Sequence, residues 1–411
     1  MANNKSKAAG LWASISMGIF LIGYNVGTGS ITAMASAGSD YGMSLTWALV
    51  LSCVFAYAML IAFSRYTMQT GESSMYSFRK HFGGPVTIFI IVALLSAEIT
   101  SSMGLMGVSA EVVKEWSRPL TADGQGFNEV IVAIVFAILL GFLCWKGEQG
   151  FFEKILAIFV ALMGIAFIAT MFMVVPSAEE IIKGLKPSIP EGDNSFVVVA
   201  SMVGTTMGAI LFVARSVLVK DKGWTMADMK IQKRDALISV GMMFVLSFAI
   251  MVCAAGAMRG EHIENAIQMV GLVEPIAGKF ATSLFVVGIV AAALSSLFPI
   301  LLLAPWLVSD YLGEKSNMRS TRSRILMYAV LLCSLCAPVF GWRPVKVVLI
   351  SQTLTMVATP LTILFMTILL NRKDLMGGNR PSVLENIIYA VVFLFTLTVA
   401  VIGISGLFQM S

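Results

Sequence analysis

Residues 195–219 read SFVVVASMVGTTMGAILFVARSVLV, an apolar run whose middle does not suit a continuous helix. A helix of about 20 apolar residues crosses the hydrocarbon core of a bilayer, so this run is long enough to span it. Residues 204–208 (GTTMG) place two glycines and two threonines at its centre. Glycine favours an open backbone, which a membrane helix tolerates only where the backbone lines a cavity or is buried in protein. The stretch therefore predicts a spanning helix that is broken beside a cavity.

The composition of the whole chain agrees with a membrane location. Of its 411 residues, 58% are hydrophobic and only 12% are charged. Soluble domains carry about 25% charged residues. Half of that charge cannot cover the surface of a soluble protein of this length, so the composition excludes a soluble enzyme. It predicts an all-α integral membrane protein whose partner is the lipid bilayer, and the net charge of +5 gives no reason to expect nucleic acid.

Eleven apolar runs are bounded by glycine, proline or charge clusters, and we predict eleven transmembrane helices. The predicted spans are 10–38, 43–67, 85–115, 127–146, 150–175, 195–219, 235–258, 280–312, 323–340, 344–371 and 385–409. Nineteen Lys and Arg residues fall on the side of the amino terminus and eight on the opposite side. Because basic residues concentrate in cytoplasmic loops, we predict a multi-pass protein of the plasma (inner) membrane. Its amino terminus is cytoplasmic and its carboxyl terminus extracytoplasmic.

The first predicted helix contains a second break, at residues 25–30 (NVGTGS). The two broken helices are first and sixth, so an odd number of crossings separates them and they run in opposite directions. This is the arrangement of an inverted five-plus-five repeat with one extra helix. We therefore predict one transmembrane domain over residues 1–411, with repeats at about 10–175 and 195–371 and an extra helix at about 385–409. The alternative for either break is close helix packing through small residues.

Several short motifs then occur in an order that points to a known family. They are IGY at 22–24 with AGSDYGMSLTW at 37–47, HFGGP at 81–85, AAALSS at 291–296, and LISQ at 349–352 followed by RKDLMG at 372–377. Together they resemble the Nramp family of metal-ion transporters over nearly the whole chain. The resemblance implies the leucine-transporter fold and alternating-access transport.

The metal-binding motifs of that family are replaced in this chain. Its first-helix signature, Asp-Pro-Gly-Asn, falls on GTGS at residues 27–30. Its sixth-helix signature, Met-Pro-His, falls on residues 208–210, and its second histidine on Arg215. A shift of one residue would return Met207 to the methionine position. Divalent ions normally take carboxylate, imidazole or thiolate ligands, and near the breaks the sequence shows none. We therefore predict that no transition-metal site is present.

The two breaks and the tenth helix supply the predicted substrate-binding residues. These are Asn25, Gly27, Thr28, Gly29, Ser30, Thr205, Thr206, Met207, Gly208 and Gln352. The GTGS stretch also resembles the first-helix break of amino-acid carriers, where free backbone N–H groups receive a carboxylate. Our main hypothesis is a secondary active carrier of a small polar or anionic organic solute, such as an amino acid. Divalent metal transport (Mn, Fe or Mg) through a relaxed site is the first alternative, and a non-transporting sensor or channel is the second.

Four further residues are candidates for ion coupling. Glu98 and Arg215 lie deep within predicted spans, where ionisable residues are costly and usually functional. They could pair with each other, or Glu98 could titrate as a coupling site, or Arg215 could contact an anionic substrate. Ser295 and Ser296 resemble the hydroxyl pair that helps to hold sodium in sodium-coupled members of the leucine-transporter fold. The coupling ion is therefore Na⁺ or H⁺.

No phosphate-binding loop and no nucleophile–base pair is evident, so we predict that the protein is not an enzyme and has no cofactor. The oligomeric state stays open, with a monomer favoured.

Overall fold

The computed structural model describes residues 27–146, 150–174, 176–191, 194–272, 281–314 and 317–409. All secondary structure in these ranges is helical. This follows from the apolar composition, because a spanning helix satisfies all of its backbone hydrogen bonds internally. The predicted start of the first helix, including Asn25, lies outside the described residues.

Sixteen α-helices are described, from α1 to α16 in chain order. They are α1 (Thr28–Tyr41), α2 (Thr46–Thr70), α3 (Ser74–Phe82), α4 (Gly84–Ser117), α5 (Glu129–Lys146), α6 (Gly150–Met173), α7 (Ala178–Lys183), α8 (Ser195–Met207), α9 (Ala209–Asp221), α10 (Met229–Ala257), α11 (Ala281–Leu312), α12 (Thr321–Ser334), α13 (Cys336–Phe340), α14 (Pro344–Asn371), α15 (Lys373–Met376) and α16 (Val383–Gln409).

The apolar helices follow the predicted spans closely. Among the described residues, eight stretches are long and apolar enough to cross a membrane, with α8 and α9 counted as one. Two shorter apolar stretches, Glu129–Trp145 and Ala161–Met173, coincide with the fourth and fifth predicted helices. The total of eleven stays a prediction.

Helix α14 forms the centre of the packing. It contacts α4, α8 and α16 along much of its length, and it also touches α1. Helix α11 packs against α4 and α6, and α10 packs against α1 and α2. Small residues allow the closest approach: a Cβ atom on Gly104 of α4 would lie 2.9 Å from the backbone nitrogen of Val348 in α14. This packing places α1, α4, α8, α11 and α14 around a common interior.

Candidate functional site

The sixth predicted helix is interrupted where the sequence indicates. Helix α8 ends at Met207 and α9 begins at Ala209, with Gly208 between them in an extended conformation (φ −61°, ψ 146°). The backbone N–H of Ala209 donates to Thr359 Oγ1 of α14 at 2.9 Å. The break therefore leaves carbonyl groups of the last turn of α8 without helical donors. A hydroxyl from a neighbouring helix satisfies one of the freed N–H groups.

The described part of the first predicted helix begins inside the predicted break at residues 25–30, and the part of the helix before Gly27 lies outside the described residues. Helix α1 starts at Thr28, directly after Gly27, whose backbone is extended (φ −99°, ψ −168°). Two residues further on, Ser30 Oγ lies 2.8 Å from Thr205 Oγ1 of α8. This hydrogen bond joins the two glycine-containing segments, which are 175 residues apart in sequence.

A cavity of about 30 Å³, which we call the central cavity, lies where these segments meet α4, α11 and α14. Its lining consists of Gly27, Gly29, Ser30, Glu98, Ser101, Leu105, Gly204, Thr205, Gly208, Ile210, Ser296, Ile300, Gln352 and Thr355. The polar groups in this set are one carboxylate, several hydroxyls, one amide and backbone atoms. Apart from the amide nitrogen and the backbone N–H groups, these are oxygen ligands of the kind that hard cations prefer.

Two glycines of the lining permit very close helix contacts. A Cβ atom on Gly27 would lie 1.8 Å from Ser296 Oγ, and one on Gly204 would lie 1.9 Å from the backbone oxygen of Gln352. Neither position leaves room for a side chain. Close packing therefore favours glycine at both positions, also at Gly204, which lies within the regular helix α8.

We expect Gly204→Ala to destabilise the protein by about 1–3 kcal/mol, because the added methyl group overlaps a backbone oxygen that cannot move freely. Gly241→Ala in α10 is the matched control, since no atom lies within 4 Å of a Cβ at that position. That change should stabilise by about 0.4–1 kcal/mol through reduced entropy of the unfolded chain. Thermal unfolding in detergent measures both, and a Gly204→Ala midpoint equal to the wild type would contradict the contact.

The structure brings together most, but not all, of the predicted substrate residues. Gly27, Gly29, Ser30, Thr205, Gly208 and Gln352 line the central cavity. Thr206 does not: its hydroxyl donates to the Met202 carbonyl one turn back, at 2.7 Å. Met207 is fully buried in the apolar core and is also absent from the lining. The side chain of Thr28, like Asn25, lies outside the described residues.

Of the two predicted serines of α11, likewise only one lines the central cavity. Both hydroxyls donate to the Ala292 carbonyl, at 2.9 Å for Ser295 and 3.0 Å for Ser296. Only Ser296 lines the central cavity. The adjacent hydroxyls therefore do not face the cavity as a pair.

The predicted pairing of Glu98 with Arg215 is wrong. Arg215 forms an ion pair with Asp235 of α10, and both side chains are almost fully buried. Glu98 is also buried, but it lines the central cavity instead. The prediction failed because it considered only residues deep within single spans, and Asp235 stood at the edge of the predicted seventh helix.

The position of Glu98 also corrects the inference that no carboxylate lies near the breaks. That inference counted only residues close to the breaks in sequence. Glu98 is on α4, which packs across α1 and α14.

Six residues of the lining were missed as candidates. Three are apolar, and the others are Ser101, Gly204 and Thr355. Ser101 follows Glu98 by three residues, and Thr355 follows Gln352 by three. Residues three apart share a face of a helix, so this spacing could have identified both. The Gln352 amide nitrogen lies 3.4 Å from Ser101 Oγ, which connects the two faces.

An all-helical membrane chain with a broken helix beside a buried polar cavity is a transporter of the leucine-transporter fold, and not an enzyme. Solved structures show the same fold. A crystal structure of the Eremococcus coleocola manganese transporter aligns with a TM-score of 0.74 at 13% identity, covering 96% of this chain and 87% of that one. MhsT, crystallised with L-phenylalanine, aligns with a TM-score of 0.63 at 14% identity, covering 95% of this chain and 98% of the other.

The chain belongs to the Nramp family: the family model described as natural resistance-associated macrophage protein-like matches residues 18–406. The resemblance noted in the sequence is thereby confirmed. Among curated proteins, the divalent metal cation transporter MntH of Mycobacterium leprae is 22% identical over 372 residues, which cover 87% of this chain and 84% of that protein.

These findings contradict the hypothesis of an organic-solute carrier, because the family and its curated relatives are metal transporters. The dimensions of the central cavity give a physical reason. Pockets for small organic ligands measure about 300–1,000 Å³. A cavity of about 30 Å³ has room for an ion or a few waters instead.

Proposed function

We propose that this protein carries a divalent metal cation across the membrane by alternating access, through the central cavity. The observation that carries the proposal is the position of Glu98, whose carboxylate lines the same cavity as the hydroxyls and open backbone of α1 and α8. A dication held by neutral groups alone at this depth would lose its hydration without compensation. One buried carboxylate offsets part of that cost, and the surrounding oxygens can replace water ligands.

The donor types favour hard cations such as Mg²⁺ and Mn²⁺. Within the described lining, no thiolate, thioether or imidazole faces the central cavity. Soft ligands select soft metals, whereas carboxylate, carbonyl and hydroxyl oxygens suit Mg²⁺, Ca²⁺ and Mn²⁺. We therefore expect the soft ion Cd²⁺ to be a poorer substrate than Mn²⁺.

Uptake into liposomes containing the purified protein tests this function. The expected result is saturable accumulation of Mn²⁺ or Mg²⁺, which unlabelled ion of the same kind reduces and a panel of amino acids does not. Empty liposomes are the control. Non-saturable flux would indicate a channel, and binding without flux would indicate a sensor; either result would overturn the proposal.

Coupling and orientation are part of the same proposal. We infer a cytoplasmic amino terminus from the distribution of basic residues, nineteen on that side against eight on the other. Glu98 is the described ionisable group of the central cavity and is our candidate for H⁺ coupling, while the Ser296 hydroxyl could contribute to a Na⁺ site. Comparing uptake under an imposed pH gradient with uptake under a Na⁺ gradient separates the two.

A further inference from the structure

A second cavity, of about 160 Å³, lies at the end of α1 that is remote from the central cavity. We call it the outer vestibule, since the inferred orientation places it on the extracytoplasmic side. The residues lining it come from α1, from the region where α8 begins, from the first turns of α14 and from the segment after α10. They are Ser36, Asp40, Asn194, Val198, His262, Ile263, Glu264, Arg343, Val345, Lys346 and Leu349.

A carboxylate–histidine pair stands in the outer vestibule. His262 Nδ1 lies 3.2 Å from Asp40 Oδ1, and the exposed fractions of the two side chains are 58% and 12%. Histidines that bind metals usually donate their other ring N–H to a carboxylate in this way. Glu264 pairs with Arg343 of the same lining, with a carboxylate oxygen 3.5 Å from Arg343 Nη1. Lys346 adds a second positive charge to the lining, so the vestibule as a whole is not strongly acidic.

One residue of the vestibule lining carries a buried hydroxyl that has no hydrogen-bond partner among the described residues. Ser36 lines the vestibule and is 3% exposed, and its Oγ atom is the unpaired one. Most described span hydroxyls behave differently and donate to a carbonyl three or four residues earlier, as Thr206 does. A buried hydroxyl without a partner destabilises the folded protein, and an ion or water that bound to it would remove that cost.

Two more unpaired hydroxyls lie between the vestibule and the central cavity. Thr32 Oγ1 and Ser201 Oγ are fully buried without partners. Thr32, Ser36 and Asp40 follow one another at intervals of four residues and so share one face of α1. On α8, Ser201 stands between Val198 of the vestibule and Thr205 of the central cavity. Ser36, Thr32 and Ser201, three of the unpaired hydroxyls among the described residues, therefore lie on the two helices that connect the cavities.

We propose that the outer vestibule is a loading site for the divalent cation, in which His262 binds the ion through the ring nitrogen that faces away from Asp40, Asp40 orients the ring and supplies negative charge, and the hydroxyls of Ser36, Thr32 and Ser201 replace waters of the ion on the way to the central cavity. This inference rests on the proposed function. The volumes support a stepwise loss of water: about 160 Å³ accommodates roughly ten waters, enough for an ion with a six-membered shell. The central cavity, at about 30 Å³, accommodates roughly two.

Replacing Asp40 by asparagine tests the loading site. Asp40→Asn keeps the shape and a contact with His262 but removes the negative charge. We expect the KM for Mn²⁺ uptake to rise about fivefold or more, with the maximal rate nearly unchanged, because binding is weakened before the rate-limiting movement. Glu180→Gln is the matched control, because Glu180 pairs with Arg259 close to Gly42 at the same end of α1 but does not line the vestibule.

The outcomes separate this inference from the proposed function. If the wild-type protein takes up no divalent cation, the proposed function fails. If the wild type transports Mn²⁺ and Asp40→Asn has the same KM within twofold, the loading site alone is overturned.

The variant Ser36→Ala tests the hydroxyl route independently. A hydroxyl with a structural role would destabilise the protein when removed, whereas removal of an unpaired buried hydroxyl should not lower the unfolding midpoint. We expect unchanged or higher thermal stability together with a fall of about fivefold in the maximal uptake rate. Ser52→Ala in α2 is the control, because Ser52 is also buried, lines neither cavity, and its hydroxyl already donates to the Ala48 carbonyl one turn back. A Ser36→Ala uptake rate within twofold of the wild type would refute the route.

Discussion

Glu98→Gln should reduce saturable divalent-cation uptake at least about 100-fold. Glutamine has nearly the same volume as glutamate, so the lining of the central cavity keeps its shape and loses only the negative charge. The dication would then face a wholly neutral site, and a loss of about 2.7 kcal/mol in binding corresponds to that factor. The measurement is the initial rate of Mn²⁺ uptake into liposomes over a range of concentrations.

Glu115→Gln is the matched control for this experiment. Glu115 lies on the same helix, α4, but it pairs with Arg118 near the helix end and does not line the central cavity. We expect it to leave uptake within twofold of the wild type. If Glu98→Gln transported Mn²⁺ as well as Glu115→Gln did, the central cavity could not be the cation site.

Breaking the Arg215–Asp235 pair should cause the largest loss of stability. The two side chains are 0% and 2% exposed, so removal of the Asp235 carboxylate leaves the buried Arg215 guanidinium without its counter-charge. Such losses amount to about 3–5 kcal/mol, and we expect that range for Asp235→Asn. We expect a smaller loss for Arg215→Met, because the Lys222 ammonium also attracts the Asp235 carboxylate. Ser64 Oγ, 3.3 Å from Arg215 Nε, cannot replace the carboxylate. Thermal or denaturant unfolding in detergent gives the measurement.

The double variant Arg215→Met, Asp235→Leu separates charge burial from packing. Replacing both charges by apolar groups of similar size removes the uncompensated charge, so most of the lost stability should return. Arg322→Gln is the surface control: Arg322 pairs with Glu314, and the two side chains are 45% and 52% exposed. That change should cost less than about 1 kcal/mol. Additive losses in the double variant would show that the two side chains do not stabilise each other.

The positions of the helices could be predicted from hydropathy, because a membrane helix forms all of its backbone hydrogen bonds internally and needs only an apolar run of sufficient length. The break in the sixth predicted helix at residues 204–208 could be predicted for a related reason, because glycine and hydroxyl residues weaken a helix locally. Family membership followed from motifs in a fixed order along the chain. The substrate class did not follow, because only ligands near the breaks in sequence were counted, and Glu98 of another helix was assigned to ion coupling and not to the substrate site.

Local composition and periodicity thus establish that the chain forms membrane helices, where they run and where one of them opens, since these properties depend on neighbours within a few residues. The partners of the buried charges depend instead on how helices rotate and cross. Glu98 reaches the central cavity because α4 packs against α1, α11 and α14, and Arg215 meets Asp235 because α9 turns back into α10. Glu98 is far from the breaks in the chain, and even Arg215 and Asp235, which are 20 residues apart, lie on different helices. Neither arrangement follows from the residues within one helix.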